Sequence, residues 1–192
     1  MHRFRQFALL ATLLPLCWLL MMAVHELGHA VAGWASGGSV AKVVIHPLSI
    51  SRTDVIPNPH PLVVVWAGPF VGSVLPLLVW WCGRRLKPTS PYLHLFRFFA
   101  GFCLVANGAY IGGGSFDPVA DPAEMMRHGS PVWSLWVFGA CAISLGLYLW
   151  HGLGPHFGLG AEKREIEPRV VYGSAALLLI VAVSSALFSP RI

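Results

Sequence analysis

The chain has 192 residues, of which 56% are hydrophobic and 11% are charged, and it carries a formal net charge of +5. Because an ordinary soluble domain has about 25% charged residues, this composition excludes a water-soluble globular fold. The basic residues are scattered through short polar segments between apolar runs, which is typical of charges that flank membrane helices. We therefore expect no nucleic-acid partner and predict an all-α integral membrane protein that lies in the lipid bilayer.

Five apolar runs are long enough to cross the hydrocarbon core of a bilayer, which takes about 20 helical residues. They occupy residues 7–34, 61–82, 92–111, 132–150 and 170–188. We predict about five transmembrane helices, within a range of four to six. The first run is longer than the apolar core of a signal peptide, so we interpret it as a retained helix.

Three of the connecting segments carry distinct patterns. Residues 37–59 contain a β-branched run at 40–45 and a second candidate strand around 48–52, which predicts a short β-hairpin or membrane-associated loop after the first helix. Residues 112–131 open with three glycines and hold the acidic residues Asp117, Asp121 and Glu124. Residues 151–169 alternate in charge near their end, and we predict a solvated loop there.

The first apolar run contains His25, Glu26 and His29, which fit the pattern H-E-x-x-H. Residues four apart share one face of a helix, so both imidazoles can reach one Zn²⁺ ion. Glu26 is then placed to act as the catalytic base that takes a proton from a zinc-activated water. An ionisable residue at the centre of a membrane helix costs about 2.5–3.5 kcal/mol. A metal ion would compensate for that cost, so the motif predicts a zinc site.

A third zinc ligand is needed, because catalytic zinc usually has three protein ligands and one water. If the helices alternate in direction, the end of the third lies on the same side of the membrane as the end of the first. The segment 112–131 then supplies the ligand. We favour Asp121, because it precedes Pro122 at a point where a helix can begin and hold the carboxylate rigidly. Asp117 is the alternative.

The remaining histidines and the cysteines receive no metal role. His128 is the histidine closest in sequence to the acidic segment. The cysteines fall in different apolar runs without metal-binding spacing, and we interpret them as buried free thiols. They are Cys17, Cys82, Cys103 and Cys141.

These motifs resemble those of the site-2 protease family of intramembrane zinc metalloproteases, particularly its small bacterial-type members. The resemblance covers roughly residues 7–131. It rests on the His/Glu motif with the Gly37-Gly38 pair and strand that follow, on the small-residue segment 67–69, and on Asn107 with the acidic segment. Where the family has Asp-Gly at the third ligand, this chain has Asp-Pro at both Asp117 and Asp121.

The resemblance implies zinc held by two histidines and an aspartate, and cleavage of a transmembrane or membrane-proximal peptide segment. It implies that Asn107 positions the substrate or stabilises an oxyanion, an interhelical hydrogen bond being the structural alternative. It also implies that the strand in 37–59 pairs with an unwound substrate. The expected location is a bacterial inner (plasma) membrane, and the expected partner is a membrane-protein substrate.

We interpret residues 1–192 as a single transmembrane metalloprotease-like domain, with its core at 7–131 and additional helices in 132–192. The alternative function is that of a non-proteolytic zinc-binding membrane regulator or transporter. A transporter would be expected to place polar residues along a path through the bundle, and the last two apolar runs offer almost none. The sequence therefore favours the protease.

The two indications of orientation disagree. Most of the 13 Lys and Arg residues would lie on the side of the N-terminus. The positive-inside rule then predicts a cytoplasmic N-terminus and a zinc site near the outer face. The family resemblance instead implies a site that opens towards the cytosol.

Overall fold

The structure, a computed structural model, describes residues 2–47, 51–161 and 164–188. Within these ranges, six α-helices, two strands and one 3₁₀ turn follow one another along the chain. They are α1 (His2–Ala35), β1 (Val40–Val44), β2 (Arg52–Val55), α2 (Pro61–Leu86), α3 (Leu93–Gly114), α4 (Asp121–Arg127), α5 (Val132–Trp150), the 3₁₀ turn (Gly154–Phe157) and α6 (Pro168–Phe188).

Five of the helices in the described part of the chain, namely α1, α2, α3, α5 and α6, are long and apolar enough to cross a membrane. The prediction of an all-α membrane protein with about five spanning helices and a hairpin after the first is confirmed. The short α4 lies in the acidic connection between the third and fourth spanning helices. It is therefore on the side of the bundle to which the C-terminal end of α1 points.

Helices α1 and α2 approach each other closely at Gly28. A Cβ atom on Gly28 would lie 2.4 Å from the carbonyl oxygen of Ala67, so no larger residue fits between the two backbones. Small residues allow this kind of close approach between membrane helices. The contact places the small-residue segment of α2 directly against the helix that carries the His/Glu motif.

Helices α3 and α5 pack along a line of glycines. A Cβ atom on Gly139 would lie 2.8 Å from the carbonyl oxygen of Gly108, and one on Gly146 would lie 2.8 Å from that of Gly101. A side chain at either position would push the two helices apart. Helix α5 therefore supports α3, the helix that carries Asn107.

Helix α6 lies against α1. The hydroxyl oxygens of Thr12 and Ser174 are 2.7 Å apart across the two helices. At the end of the bundle where α1 begins, Arg5 forms a 2.8 Å ion pair with Glu165.

The prediction of a solvated loop at 151–169 is only partly right, because the charged residues that the structure describes there are exposed but three apolar residues are buried. Leu153, Phe157 and Ile166 are each at most 5% exposed and pack with Leu9 and Leu13 of α1. These apolar side chains hold the segment against the bundle. The charged residues between them still reach its surface. Residues 162 and 163 of the segment lie outside the described ranges.

The two strands form an antiparallel hairpin in which Val43 is paired with Thr53. The second strand begins at Arg52, whereas the sequence predicted it around 48–52; residues 48–50 lie outside the described ranges. Successive side chains of a strand point to opposite faces. Thr53 and Val55 accordingly face α1, and Arg52 and Asp54 form a 3.6 Å ion pair.

The interpretation of the cysteines as buried thiols holds for two of the four. Cys17 and Cys103 are buried in the bundle, but Cys82 and Cys141 are exposed. The prediction is wrong for the latter pair because an apolar run does not reveal which face of its helix is turned outwards.

Candidate metal centre

The side chains of His25, His29 and Asp121 converge on one point. His25 Nε2 lies 2.8 Å and His29 Nε2 lies 3.3 Å from Asp121 Oδ2, and the two Nε2 atoms are 3.0 Å apart. The two histidines are only 5% and 6% exposed. Within the described ranges, His25, His29 and Asp121 are the one group of three or more His, Cys, Asp or Glu residues whose ligand atoms could hold a metal ion.

Asn107 of α3 orients the ring of His25. Its Nδ2 donates a hydrogen bond to the carbonyl oxygen of Cys103 at 2.9 Å, and its Oδ1 lies 2.7 Å from His25 Nδ1. A carbonyl oxygen can only accept, so the amide nitrogen must face Cys103 and the amide oxygen must face His25. Nδ1 of His25 therefore donates, and Nε2 of the same ring is left for a metal ion.

His29 is oriented in the same way by helix α2. Its Nδ1 donates to the carbonyl oxygen of Val64 at 2.8 Å. Its ring lies so close to Gly68 that a Cβ atom there would be 2.3 Å from two ring atoms. One face of α2 thus provides both a hydrogen-bond acceptor and an open surface for this imidazole.

Asp121 is the first residue of α4, and α4 is anchored by apolar contacts. Met125 is buried with Val65, Ile111 and Leu135, which belong to three different helices. The backbone N–H of Asp121 donates to the hydroxyl oxygen of Tyr110 at 3.1 Å. The carboxylate therefore reaches the histidines from a rigid support.

The backbone immediately before Asp121 is strained. Ala120 has φ 53° and ψ −126°, a conformation that only glycine adopts readily. A Cβ atom on Gly114, the last residue of α3, would lie 2.6 Å from the ring of Pro122 at the start of α4. The chain therefore turns tightly from α3 into α4.

The charge state of Asp121 follows from its neighbours. Burial acts to raise the pKa of its carboxyl group, but in the metal-free chain protonated His25 and His29 beside it outweigh burial and hold the pKa below its usual range. The carboxylate is therefore anionic, as a metal ligand must be.

The other polar residues of segment 112–131 lie apart from this cluster. Asp117 is exposed on the connection between α3 and α4, so the structure brings Asp121 and not Asp117 to the histidines. His128 Nε2 lies 3.2 Å from Glu124 Oε2. Both of those side chains line the same cavity as the three converging ligand atoms, but they are not part of that group.

Glu26 is 2% exposed and lies next to His25 in the chain. Its Oε2 accepts a hydrogen bond of 2.7 Å from the hydroxyl of Thr53 in strand β2. Burying a carboxylate costs free energy unless hydrogen bonds satisfy it, so this contact offsets part of the cost of burying Glu26.

One cavity of about 730 Å³ is lined by His25, Glu26, His29, Thr53, Asn107 and Asp121. One part of its wall is apolar, with Trp18, Met21, Met22, Val64, Val65 and Ala106. The other part is polar and includes the converging ligand atoms, Glu26, Thr53 and the Glu124–His128 pair. The volume lies within the range of sites that bind small molecules, about 300–1,000 Å³.

The donor set fits zinc. Two neutral imidazole nitrogens and one carboxylate oxygen are a common set of protein ligands for catalytic zinc, with a further position left for water. In this chain both Nδ1 atoms face hydrogen-bond acceptors, so both Nε2 atoms have the orientation that a metal ion requires. The fit rests on this arrangement of donors and acceptors.

Sequence reasoning missed several residues that position the site. Tyr110 lies three residues after Asn107 on the same face of α3, and this helical spacing is a signal that could have identified it. Thr53 carried no such signal, because its contact with Glu26 depends on how the hairpin is seated on α1. The contact made by Val64 uses a backbone carbonyl oxygen, which any residue would offer.

Comparison with known proteins gave one family match. The family model described as Peptidase M50B-like matches residues 6–111, which is more than half of the chain. The matched range contains the His/Glu motif and Asn107 and ends before Asp121. No curated protein and no solved structure that was compared with the chain matches it.

Proposed function

We propose that this chain, which belongs to the Peptidase M50B-like family, the site-2 protease family of membrane metallopeptidases, is an intramembrane zinc metalloendopeptidase. Its substrate would be a transmembrane or membrane-proximal segment of another membrane protein. We further propose that residues 1–192 act as one metalloprotease-like domain, with its core at 7–131 and supporting helices in 132–192, in the inner (plasma) membrane of a bacterium.

The observation that carries this proposal is the convergence of His25 Nε2, His29 Nε2 and Asp121 Oδ2 within 3.3 Å of one another, with Glu26 in the same cavity. His25, His29 and Asp121 would hold the zinc ion. When bound, zinc would supply Lewis acidity, polarising the scissile carbonyl group and making water more acidic. Asp117 is exposed and is not part of this group, which favours Asp121 as the third ligand.

Glu26 would act as the general base. It takes a proton from the attacking water while the water oxygen forms a bond to the carbonyl carbon, and it then gives the proton to the leaving amide nitrogen as the C–N bond breaks. Burial of Glu26 in the same cavity as the converging ligand atoms supports this role.

Asn107 and the Val64 carbonyl group would keep both imidazoles in the orientation that leaves Nε2 for the metal. The family resemblance implies a substrate-positioning role for Asn107, and that role stays a prediction. Both ends of its amide are engaged within the chain, with His25 and with Cys103, which favours orientation of His25 as its main role.

Strand β2 would receive the substrate. Arg52 and Thr53 of β2 line the cavity, and among the residues that the structure describes β2 is paired only with β1, on one edge. A helical substrate hides its carbonyl groups in internal hydrogen bonds, so it must unwind before hydrolysis. Pairing of the unwound segment with β2 would present an extended peptide next to Glu26.

The proposal is tested with purified full-length chain in lipid nanodiscs, loaded with zinc and mixed with a panel of tagged single-span membrane proteins. We expect fragments cut within or next to the span, detected by electrophoresis and mass spectrometry. Glu26→Gln should retain zinc, measured by elemental analysis, and should lose cleavage by at least about a hundredfold, since general-base catalysis contributes roughly 10²–10⁴.

Cleavage that persists in Glu26→Gln would contradict the proposed mechanism. The wild-type chain could instead bind zinc, cut no member of the panel and leave the same host membrane proteins intact as Glu26→Gln does. That result would favour the non-proteolytic regulator or transporter. Uptake of zinc into sealed vesicles would then separate a transporter from a regulator.

A further inference from the structure

The hydrogen bond between Thr53 and Glu26 joins the hairpin to the candidate catalytic base. The Thr53 hydroxyl lies 2.7 Å from Glu26 Oε2 and 3.3 Å from the backbone carbonyl oxygen of Glu26. The shorter contact is typical of a hydroxyl that donates to a carboxylate. It connects two residues that are 27 positions apart and belong to different elements.

The hairpin is seated on α1 by a second contact that fixes this geometry. Val55 lies two residues after Thr53 and therefore on the same face of β2. A Cβ atom on Gly33 would be 2.8 Å from a methyl group of Val55, so the bare glycine provides the surface on which Val55 rests. Gly33 is seven residues, or two helical turns, after Glu26 and lies on the same face of α1.

The turn that leads from α1 to the hairpin is fixed as well. The backbone N–H of Gly38 donates to the carbonyl oxygen of Gly33 at 2.8 Å, and the N–H of Ile56 donates to the carbonyl oxygen of Ser39 at 2.7 Å. Both ends of the hairpin are thus tied close to α1. The Thr53 hydroxyl is therefore held at a fixed position relative to the Glu26 side chain.

We propose that Thr53 is the positioning residue for the general base: its hydroxyl holds Glu26 Oε2 and leaves Oε1 as the oxygen that takes the proton from water. This inference rests on the proposed function of Glu26. A glutamate side chain has three rotatable bonds, and fixing one carboxylate oxygen restricts them before the substrate arrives. Thr53 acts through Glu26 and does not itself touch the reacting atoms.

The same hydroxyl gives the hairpin a second role in the proposed reaction. Strand β2 would pair with the substrate and would also hold the base that takes the proton. Positions of substrate and base would then be set by one strand, and a displacement of β2 would change both. Effective catalysis requires reacting groups to be held to within a fraction of an ångström, so a shared support is a physical advantage.

The test uses zinc-loaded full-length chain and a tagged single-span protein that the wild type cleaves. Thr53→Val keeps the shape of the side chain and removes the hydroxyl, whereas Thr53→Ser keeps the hydroxyl. The matched control is Thr89→Val, which makes the same exchange at an exposed position in the connection between α2 and α3. Zinc content and melting temperature are measured for every variant.

We expect Thr53→Val to lower kcat by about tenfold to a hundredfold, the effect of losing a hydrogen bond to a charged group. KM should stay within about twofold, because the lost contact acts in the chemical step and not in substrate binding. Thr53→Ser should restore kcat to within about threefold of wild type. Zinc content should be unchanged in all three variants, and Thr89→Val should match wild type.

Three results would overturn the inference while leaving the proposed function intact. The first is an unchanged kcat in Thr53→Val. The second is a rise in KM with kcat preserved, which would make Thr53 a substrate contact. The third is an equal loss of zinc or melting temperature in the Val and Ser variants, which would make its role structural. Failure of the wild type to cleave any protein would instead overturn the proposed function and the role of Thr53 together.

Discussion

The imidazole ring of His29 lies against the bare Cα atom of Gly68, so close that a Cβ atom at this position would be 2.3 Å from ring atoms Cε1 and Nε2. Nε2 is the atom that faces His25 and Asp121. The small-residue segment of α2 therefore acts directly on the candidate metal centre, in addition to allowing α2 to approach α1.

Gly68→Ala should displace the ring of His29 and lower zinc affinity by at least about tenfold, as expected when the support of a metal ligand is disturbed. Zinc affinity is measured by competition with a chelating dye, and melting temperature is recorded in parallel. The control is Gly173→Ala in α6, where an added Cβ would meet no atom within 4 Å. Equal zinc affinity in Gly68→Ala and wild type would show that the ring does not need this space.

Asp121→Asn should reduce zinc affinity by more than about a hundredfold, because loss of a ligand should cost more than loss of its supporting residue. Asp117→Asn is the matched control, since it makes the same change at an exposed position four residues earlier in the chain. We expect Asp117→Asn to retain zinc and cleavage. Retention of zinc by Asp121→Asn, with loss in Asp117→Asn, would reverse the assignment of the third ligand.

Asn107→Ala should weaken zinc binding by about 10- to 100-fold, because His25 loses the acceptor that orients its ring. Asn107→Asp keeps an acceptor for His25 Nδ1 and should bind zinc more tightly than the alanine variant. Competition with a chelating dye measures both affinities. If Asn107→Ala instead keeps zinc and only KM rises, the residue positions substrate, as the family resemblance implies.

Ala120→Gly should raise the free energy of unfolding by about 1 kcal/mol, because glycine relieves the positive φ of this position at the cost of some backbone entropy. The control is Ala123→Gly, inside α4, which should lower the stability by about 0.5–1 kcal/mol. Denaturant unfolding in mild detergent gives both values. A loss of stability in Ala120→Gly would show that the conformation before Asp121 is not strained.

Much of the fold was predictable because its determinants are local. Apolar runs of about 20 residues identify spanning helices, and the β-branched residues after Gly38 identify the hairpin. Gly28, Gly33, Gly68 and Gly72 each leave room for a neighbouring element, as the short distances at each show. The solvated loop at 151–169 was predicted only in part, because its exposed charged residues concealed three apolar side chains that are buried.

The candidate site was also predictable only in part. The sequence by itself placed His25, Glu26 and His29 together, because their spacing puts both imidazoles on one face of a helix whatever the rest of the chain does. It also limited the third ligand to Asp121 or Asp117.

Only the tertiary structure decided which aspartate meets the histidines, which acceptors orient them, and which hydroxyl contacts Glu26. His25 and Asp121 are 96 residues apart, and His25 and Asn107 are 82 apart. Contacts over such separations depend on the rotation of α3, the strained turn before α4 and the seating of the hairpin on Gly33. These are set by side-chain packing between elements, and the pattern of residues within one element does not contain that information.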